Sequence, residues 1–214
     1  MNRHSYVFRR IVMKKSFWDV VSGVYDFFER VYNRQCYDST GVRVAEEICS
    51  GDNVLECACG TGAISVHVAP KCASLTATDL SVGMLRKAEK KCAKFGNVRI
   101  KKASIMELKC PDGVFDKVIA GNVIHLLDEP YKAIEELMRV CKPGGKVIIP
   151  TYINKSESSN GLIPKLLGVF VVEFKREFDL ESYGDFFREA GYESVRISVV
   201  EGRMPCAVAV IEKK

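Results

Sequence analysis

The stretch Val54-Leu55-Glu56-Cys57-Ala58-Cys59-Gly60-Thr61-Gly62, with Asp79 closing the next apolar run, decides the fold. It reads as a buried strand, a glycine-rich turn, a helix and a second strand that ends in a carboxylate. Gly60 and Gly62 carry no Cβ, so the backbone can turn tightly there and a ligand can approach it closely. Asp79 offers two acceptor oxygens to the paired hydroxyls of a ribose, as an acidic residue does in dinucleotide folds. The strand before the turn and the delayed acid after it distinguish this pattern from a bare Gly-x-Gly. The arrangement suits a nucleoside-bearing cofactor.

Strand-like runs alternate with helical patterns on the carboxyl side of this stretch, the signature of a parallel sheet covered by helices. Strands are expected over 53–57, 74–78, 98–101, 115–120 and 146–151. Ser81 is placed to cap a helix ending near Gly96, and Pro130 suits the first turn of another. Pro143-Gly144-Gly145 is expected to turn the chain into the fifth strand. A helix over 180–190 stops at Gly191, and runs over 194–200 and 206–211 read as an antiparallel hairpin closing the sheet. Before the sheet, 17–31 and 41–49 read as helices. The segment 162–174 is apolar but interrupted by Pro164 and Gly168, and reads equally as a substrate cover or as a core helix or dimer contact.

The chain of 214 residues has room for one domain with a substantial core. Four parts are expected within that single domain: a helical cap over 1–50, a cofactor-binding core over 51–152, a lid over 153–178, and a helix with hairpin over 179–214. No apolar run reaches the roughly 18 residues of a membrane span. The basic N-terminus lacks the h-region and cleavage site of a signal peptide, so a cytoplasmic protein is expected. The nine cysteines follow no repeated C-x-x-C spacing, which argues against a disulfide framework and a zinc site. Cys57 and Cys59 are expected on one face of a strand as packing residues. The net charge of +5 is concentrated in Arg86, Lys87, Lys90, Lys91, Lys94, Arg99, Lys101 and Lys102. With no aromatic residues interleaved for base stacking, this reads as a solvated face and not a nucleic-acid footprint.

With these residues placed, the chain resembles the class I S-adenosylmethionine-dependent methyltransferases, in the branch that includes the ubiquinone and menaquinone C-methyltransferases. The resemblance runs from about Phe17 to Ile211. Glu56 to Gly62 looks like the cofactor turn, and Thr78-Asp79-Leu80-Ser81-x-x-Met84 is similar to the ribose and adenine segment. Leu108-x-x-Pro111-Asp112-Gly113-x-Phe115-Asp116 resembles the approach to the fourth strand, and Asn122-Val123-Ile124-His125 the segment after it. Lys142-Pro143-Gly144-Gly145-Lys146 is similar to the turn before the fifth strand, and Phe17-Trp18-Asp19 with Tyr25-Asp26 to the N-terminal cap.

The resemblance implies a Rossmann-like α/β fold: a seven-stranded, mostly parallel sheet with an antiparallel terminal strand and helices on both faces. It implies S-adenosyl-L-methionine as cofactor and a small-molecule methyl acceptor, possible homodimerisation aside. Glu56 would face the methionine amino group; Gly60 and Gly62 would let the backbone lie against sulfonium and ribose. Asp79 would accept the ribose hydroxyls, Leu80 and Met84 would pack on the adenine, and Ser104 and the Ile105 amide would meet its edge. Asn122 and Tyr25 complete the expected cofactor set. Ala58 stands where the family usually has glycine, which narrows the room beside the cofactor. Ser104 stands where Asp is common, which removes a charge.

Methyl transfer is an in-line displacement, so the protein's part is to align the acceptor and exclude water. His125, just past the fourth strand, is the candidate general base, and it is needed only where the acceptor must lose a proton. Tyr25 and Tyr37 could reach the pocket from the cap. No metal is expected. A nicotinamide-dependent oxidoreductase is the alternative, although its fingerprint wants glycine where Ser65 stands. A non-catalytic S-adenosylmethionine-binding protein is a second alternative, and thiol-dependent arsenite methylation a third.

Overall fold

A computed structural model describes residues 33–154 and 175–214. The expected helix over 17–31, Tyr25, and the apolar segment 162–174 lie outside the described residues. Seven strands form one sheet: β1 (Asn53–Cys57), β2 (Ser74–Asp79), β3 (Val98–Lys102), β4 (Phe115–Ala120), β5 (Cys141–Tyr152), β6 (Arg196–Val200) and β7 (Cys206–Glu212). Their spatial order is β3-β2-β1-β4-β5-β7-β6. The first five run parallel, and β7 is antiparallel to both β5 and β6. The final strand is therefore inserted between two others, and β6 forms the edge.

Helices cover both faces. On one side α1 (Arg34–Ala45), the short α2 (Ser65–Val68) and α3 (Val82–Cys92) pack on Val54, Leu75, Ala77, Ile119 and Ile148. On the other, α4 (Pro130–Val140) and α5 (Leu180–Glu189) pack on Leu55, Val118, Val147 and Ala209. Alternate residues along each strand thus feed two separate cores, as the pleat requires. The Ser81 hydroxyl accepts the Met84 N–H at 3.2 Å, capping α3, which ends at Cys92, short of Gly96. Asp179 and Ser182 form a reciprocal capping box at the start of α5.

Two boundaries differ most from the sequence reading. The helix expected over 41–49 runs instead from Arg34 to Ala45. Its buried stripe is Cys36, Thr40 and Val44, one residue per turn, and the polar Thr40 conceals the period. Gly41 sits inside this helix because a Cβ there would meet the His67 ring at 2.3 Å. The second difference concerns Pro143-Gly144-Gly145, which lies within β5 instead of preceding it. Phe115 pairs with Cys141 but Lys117 pairs with Lys146, so the extra residues are taken up as an irregularity in the strand.

Glu47, following α1, joins three elements. Its carboxylate meets Arg43 at 3.0 Å, Lys146 of β5 at 2.8 Å and Arg196 of β6 at 3.1 Å. Burial alone would raise its pKa, but the three cations outweigh burial and hold the carboxyl at about 2.

Candidate functional site

A cleft opens at the carboxyl ends of β1, β4 and β5, enclosing about 500 Å³ including its open mouth. The sheet order reverses between β1 and β4, and ligands of open α/β sheets bind at such a switch point. The floor is Glu56 and the turn Ala58 to Thr61. One wall is Gly121, Asn122 and Tyr152, and the other is Tyr37 and Thr40 of α1 with Ala63 and Ile64.

The turn departs sharply from strand geometry. Ala58, Gly60 and Gly62 have φ of 52°, 54° and 83°. Glycine tolerates this region, whereas for alanine the Cβ crowds the following carbonyl at a cost of about 1–2 kcal/mol. The methyl of Ala58 therefore has a conformational cost as well as a steric one. The turn also breaks the strand's alternation. Cys57 packs in the core under α4 and α5, while Cys59 packs in the core under α1 and α3. The two thiols do not share a face as the sequence suggested. Burial pushes Cys57 up to about 12 and raises Cys59 well above the usual thiol range, so both stay protonated.

Gly60 and Gly62 do different jobs. A Cβ on Gly60 would meet nothing within 4 Å, so its side faces open space at the cleft. A Cβ on Gly62 would lie 3.2 Å from the Ala88 backbone, so this glycine lets the turn pack against α3.

Asp79 closes the far end of the turn. Its Oδ2 accepts the Gly60 N–H at 2.9 Å, its Oδ1 accepts the Ser81 N–H at 2.8 Å, and its carbonyl accepts the Ala103 N–H at 3.2 Å. That last bond ties the loop bearing Ser104 and Ile105 to the end of β2. Ser104 Oγ accepts the Met106 N–H at 3.2 Å, and Ile105 is buried. Leu80 next to Asp79 is 45% exposed, a large apolar side chain with open space above it, whereas Met84 is buried beneath. None of Leu80, Met84, Ser104 and Ile105 lines the cleft proper.

Glu56 is 2% exposed and accepts the Ser65 hydroxyl at 2.6 Å. Burial, reinforced by nearby Asp79 and opposed by the Ser65 hydrogen bond, pushes its carboxyl up to about 8. Ser65 is the position where a dinucleotide fingerprint wants glycine, and its hydroxyl is committed to Glu56. Asn122 also adopts a left-handed backbone, φ 51°, and donates its N–H to the Pro150 carbonyl at 2.8 Å. Its buried Oδ1 has no hydrogen-bond partner among the described residues. A buried acceptor of that kind calls for a ligand donor.

His125 lies in a 3₁₀ turn, Ile124–Leu126, and is buried outside the set lining the cleft. Burial lowers its pKa to about 4, so the ring is uncharged at neutral pH. Its carbonyl accepts the N–H groups of Lys175 at 3.0 Å and Arg176 at 3.3 Å. Tyr37 does line the cleft, as do Thr40 and Tyr152, which sequence reasoning missed. Tyr152 was findable as the end of a parallel strand. Thr40 lies one turn on from Tyr37, so the same helix face carries both.

The sequence matches the family described as a methyltransferase domain over residues 55–149. It is 31% identical over 154 residues to the phosphatidylethanolamine N-methyltransferase of Cereibacter sphaeroides, covering 71% of this chain and 72% of that protein. The chain is a class I S-adenosylmethionine-dependent methyltransferase. This methyltransferase is also 29% identical over 192 residues to the demethylmenaquinone methyltransferase of Staphylococcus aureus, covering 87% of this chain and 72% of the relative. Its fold matches that of a Thermotoga maritima methyltransferase described as a possible histamine N-methyltransferase, with TM-score 0.70 and 21% identity, covering 93% of this chain and 99% of that one.

The residues present fit the cofactor. The unsatisfied Asn122 acceptor and the buried Glu56 carboxyl suit an ammonium, the open side of Gly60 admits a ligand, and Asp79 presents carboxylate oxygens at the turn's end. Among the described residues no helix of this methyltransferase is long and apolar enough to cross a membrane.

Proposed function

We propose that this methyltransferase modifies a small aromatic or lipophilic acceptor that enters over Tyr37, Thr40 and Tyr152. The observation that carries this reading is the composition of the cleft: two tyrosines, Ala63 and Ile64 stand around the glycine turn, and among the described residues no Lys, Arg or His lines it. Such walls favour a flat or apolar partner, with the tyrosine and threonine hydroxyls available for orientation. The similarity to a demethylmenaquinone methyltransferase supports the same substrate class.

When bound, the cofactor would supply an electrophilic methyl group. Glu56 and Asn122 would hold its amino end, the open face of Gly60 would admit the centre, and Asp79 would accept the ribose hydroxyls. Leu80, Met84, Ser104 and Ile105 would receive the adenine. The side chains of Tyr37 and Tyr152 orient the acceptor and displace water from the cleft, so that proximity supplies much of the rate. In this proposal His125, buried outside the cleft lining, does not take the proton of an acceptor held between Tyr37 and Tyr152. A ring held near 4 is a weak proton acceptor, so the preferred substrates are those whose nucleophile needs little help.

The similarity to a phosphatidylethanolamine N-methyltransferase favours a second reading, methylation of a lipid amine. An assay with isotopically labelled cofactor, offering quinols in one arm and phosphatidylethanolamine vesicles in the other, separates the two. Label transfer to the quinol arm is expected. Transfer to the amine alone would replace the first reading by the second.

A further inference from the structure

Glu56 is a buried carboxyl whose surroundings suit its neutral form. It lies on the α1–α3 side of β1, and its side chain accepts one hydrogen bond, from Ser65 Oγ at 2.6 Å. Thr78 Oγ1 donates to its backbone carbonyl at 3.2 Å and leaves the carboxyl untouched. The ionisable groups that act on it or that it acts on are Asp79 from β2, Cys57 on its own strand, Cys59 in the turn and Cys92 of α3. Asp79 is a second carboxylate and opposes ionisation. The three thiols are all raised by burial and carry no charge at neutral pH. From β4, Ile119 stands opposite Glu56 in register; from α1, Tyr37 and Thr40 line the same cleft. Lys91 reaches the turn but donates to Thr61 Oγ1 at 2.9 Å, and no ion pair reaches Glu56 among the described residues.

We infer that Glu56 carries a proton while the cleft holds no cofactor and releases it to solvent when the cofactor's ammonium group arrives. Cofactor binding to this methyltransferase is thereby coupled to pH. The O–H bond of the Glu56 carboxyl breaks, the electron pair stays on its oxygen, and the proton goes to bulk buffer. The resulting carboxylate faces the one positive group that the site lacks. An opposite charge nearby favours the ionised form, whereas burial and Asp79 had favoured the neutral one. With the carboxyl pushed up to about 8 in the cofactor-free state, Glu56 is mostly protonated at pH 7. Affinity should then rise with pH, approaching about tenfold per unit well below that value, until the ligand's own amine begins to lose its proton.

The test is calorimetric titration with S-adenosylhomocysteine, which keeps the ammonium and is not turned over. Running it at pH 7 in two buffers of different ionisation enthalpy gives the number of protons released. The heat of binding reports whether the cofactor is held at all, and the buffer dependence separately reports Glu56. Close to one proton should leave at pH 7, where the ligand's amine is still charged. Glu56→Gln should bind more weakly and release none. Binding with no proton release in the unaltered protein, or equal release in Glu56→Gln, overturns the inference. If Glu56→Gln binds too weakly to titrate, Ser65→Ala decides. Losing the hydroxyl that supports the ionised form must move the midpoint of the pH dependence upward, and an unmoved midpoint overturns the inference.

Discussion

Asp79 Oδ2 accepts the Gly60 N–H at 2.9 Å, so the end of β2 is fastened to the turn after β1 before any ribose is bound. The carboxylate is thus a structural clamp as well as the proposed ribose acceptor. Asp79→Ala should weaken cofactor binding by about 1–3 kcal/mol, because it removes a charged acceptor. It should also loosen the turn, measurable as faster amide exchange at Gly60. Unchanged affinity by calorimetry would remove Asp79 from the cofactor set.

Ala58 occupies a left-handed backbone position at φ 52°. Ala58→Gly removes the clash that this conformation imposes, so the usual destabilisation of an alanine-to-glycine change should be absent. A gain of up to about 1 kcal/mol is expected, read as a raised thermal midpoint. A loss of stability would mean that the methyl group packs more favourably than its backbone strain costs.

The cofactor-free protein should lose stability as pH rises from about 6.5 to 8, the range in which the buried, uncharged His125 no longer offsets Glu56. Glu56 is protonated in the folded state up to about 8, whereas in the unfolded chain it ionises near the ordinary carboxyl value of 4.5. Between those values the native state binds the extra proton, and raising the pH favours unfolding. Denaturant midpoints from about pH 6.5 to 8 should fall in the unaltered protein and flatten in Glu56→Gln.

Glu47 has the opposite sign. Its folded pKa of about 2 lies below the unfolded value, so its contribution is present at neutral pH and fades as pH falls from about 4.5 towards 2. Glu47→Gln should destabilise by about 1–3 kcal/mol at pH 7 by leaving Lys146 and Arg43 less well paired. The difference from the unaltered protein should shrink in acid, as urea denaturation at pH 7 and pH 3 would show.

Of the nine cysteines, Cys49 is exposed, Cys110 is partly exposed and the others are buried. A thiol reagent should therefore label Cys49 first, and peptide mapping after brief native labelling should find Cys57 and Cys59 unmodified.

The central strands were legible because their buried runs are largely apolar and punctuated by Gly, Pro or a charge. The β1 turn and Asp79 were legible because glycine and a strand-end acid have few other reasons to sit at that spacing. Two kinds of feature were hidden. Thr40 and Tyr37 reach the cleft from a helix whose buried stripe includes polar residues, so its period does not show as hydrophobicity. Gly62 resembled a ligand-facing glycine, yet its neighbour is Ala88 of a helix far along the sequence, a contact no local pattern records. The two cysteines of the turn were misplaced for a related reason: strand alternation holds only until Ala58 reverses the backbone.

The position of β7 between β5 and β6 bears on the order in which the protein can be made. During synthesis β6 emerges before β7, but its pairing partner in the sheet is β7. Until Cys206–Glu212 has left the ribosome, Arg196–Val200 has no native edge to join, and the outer edge of β5 stands open. One late segment closes both gaps at once. The nascent chain thus passes through an interval with two unsatisfied strand edges, the condition under which strands pair with the wrong neighbour or with another molecule.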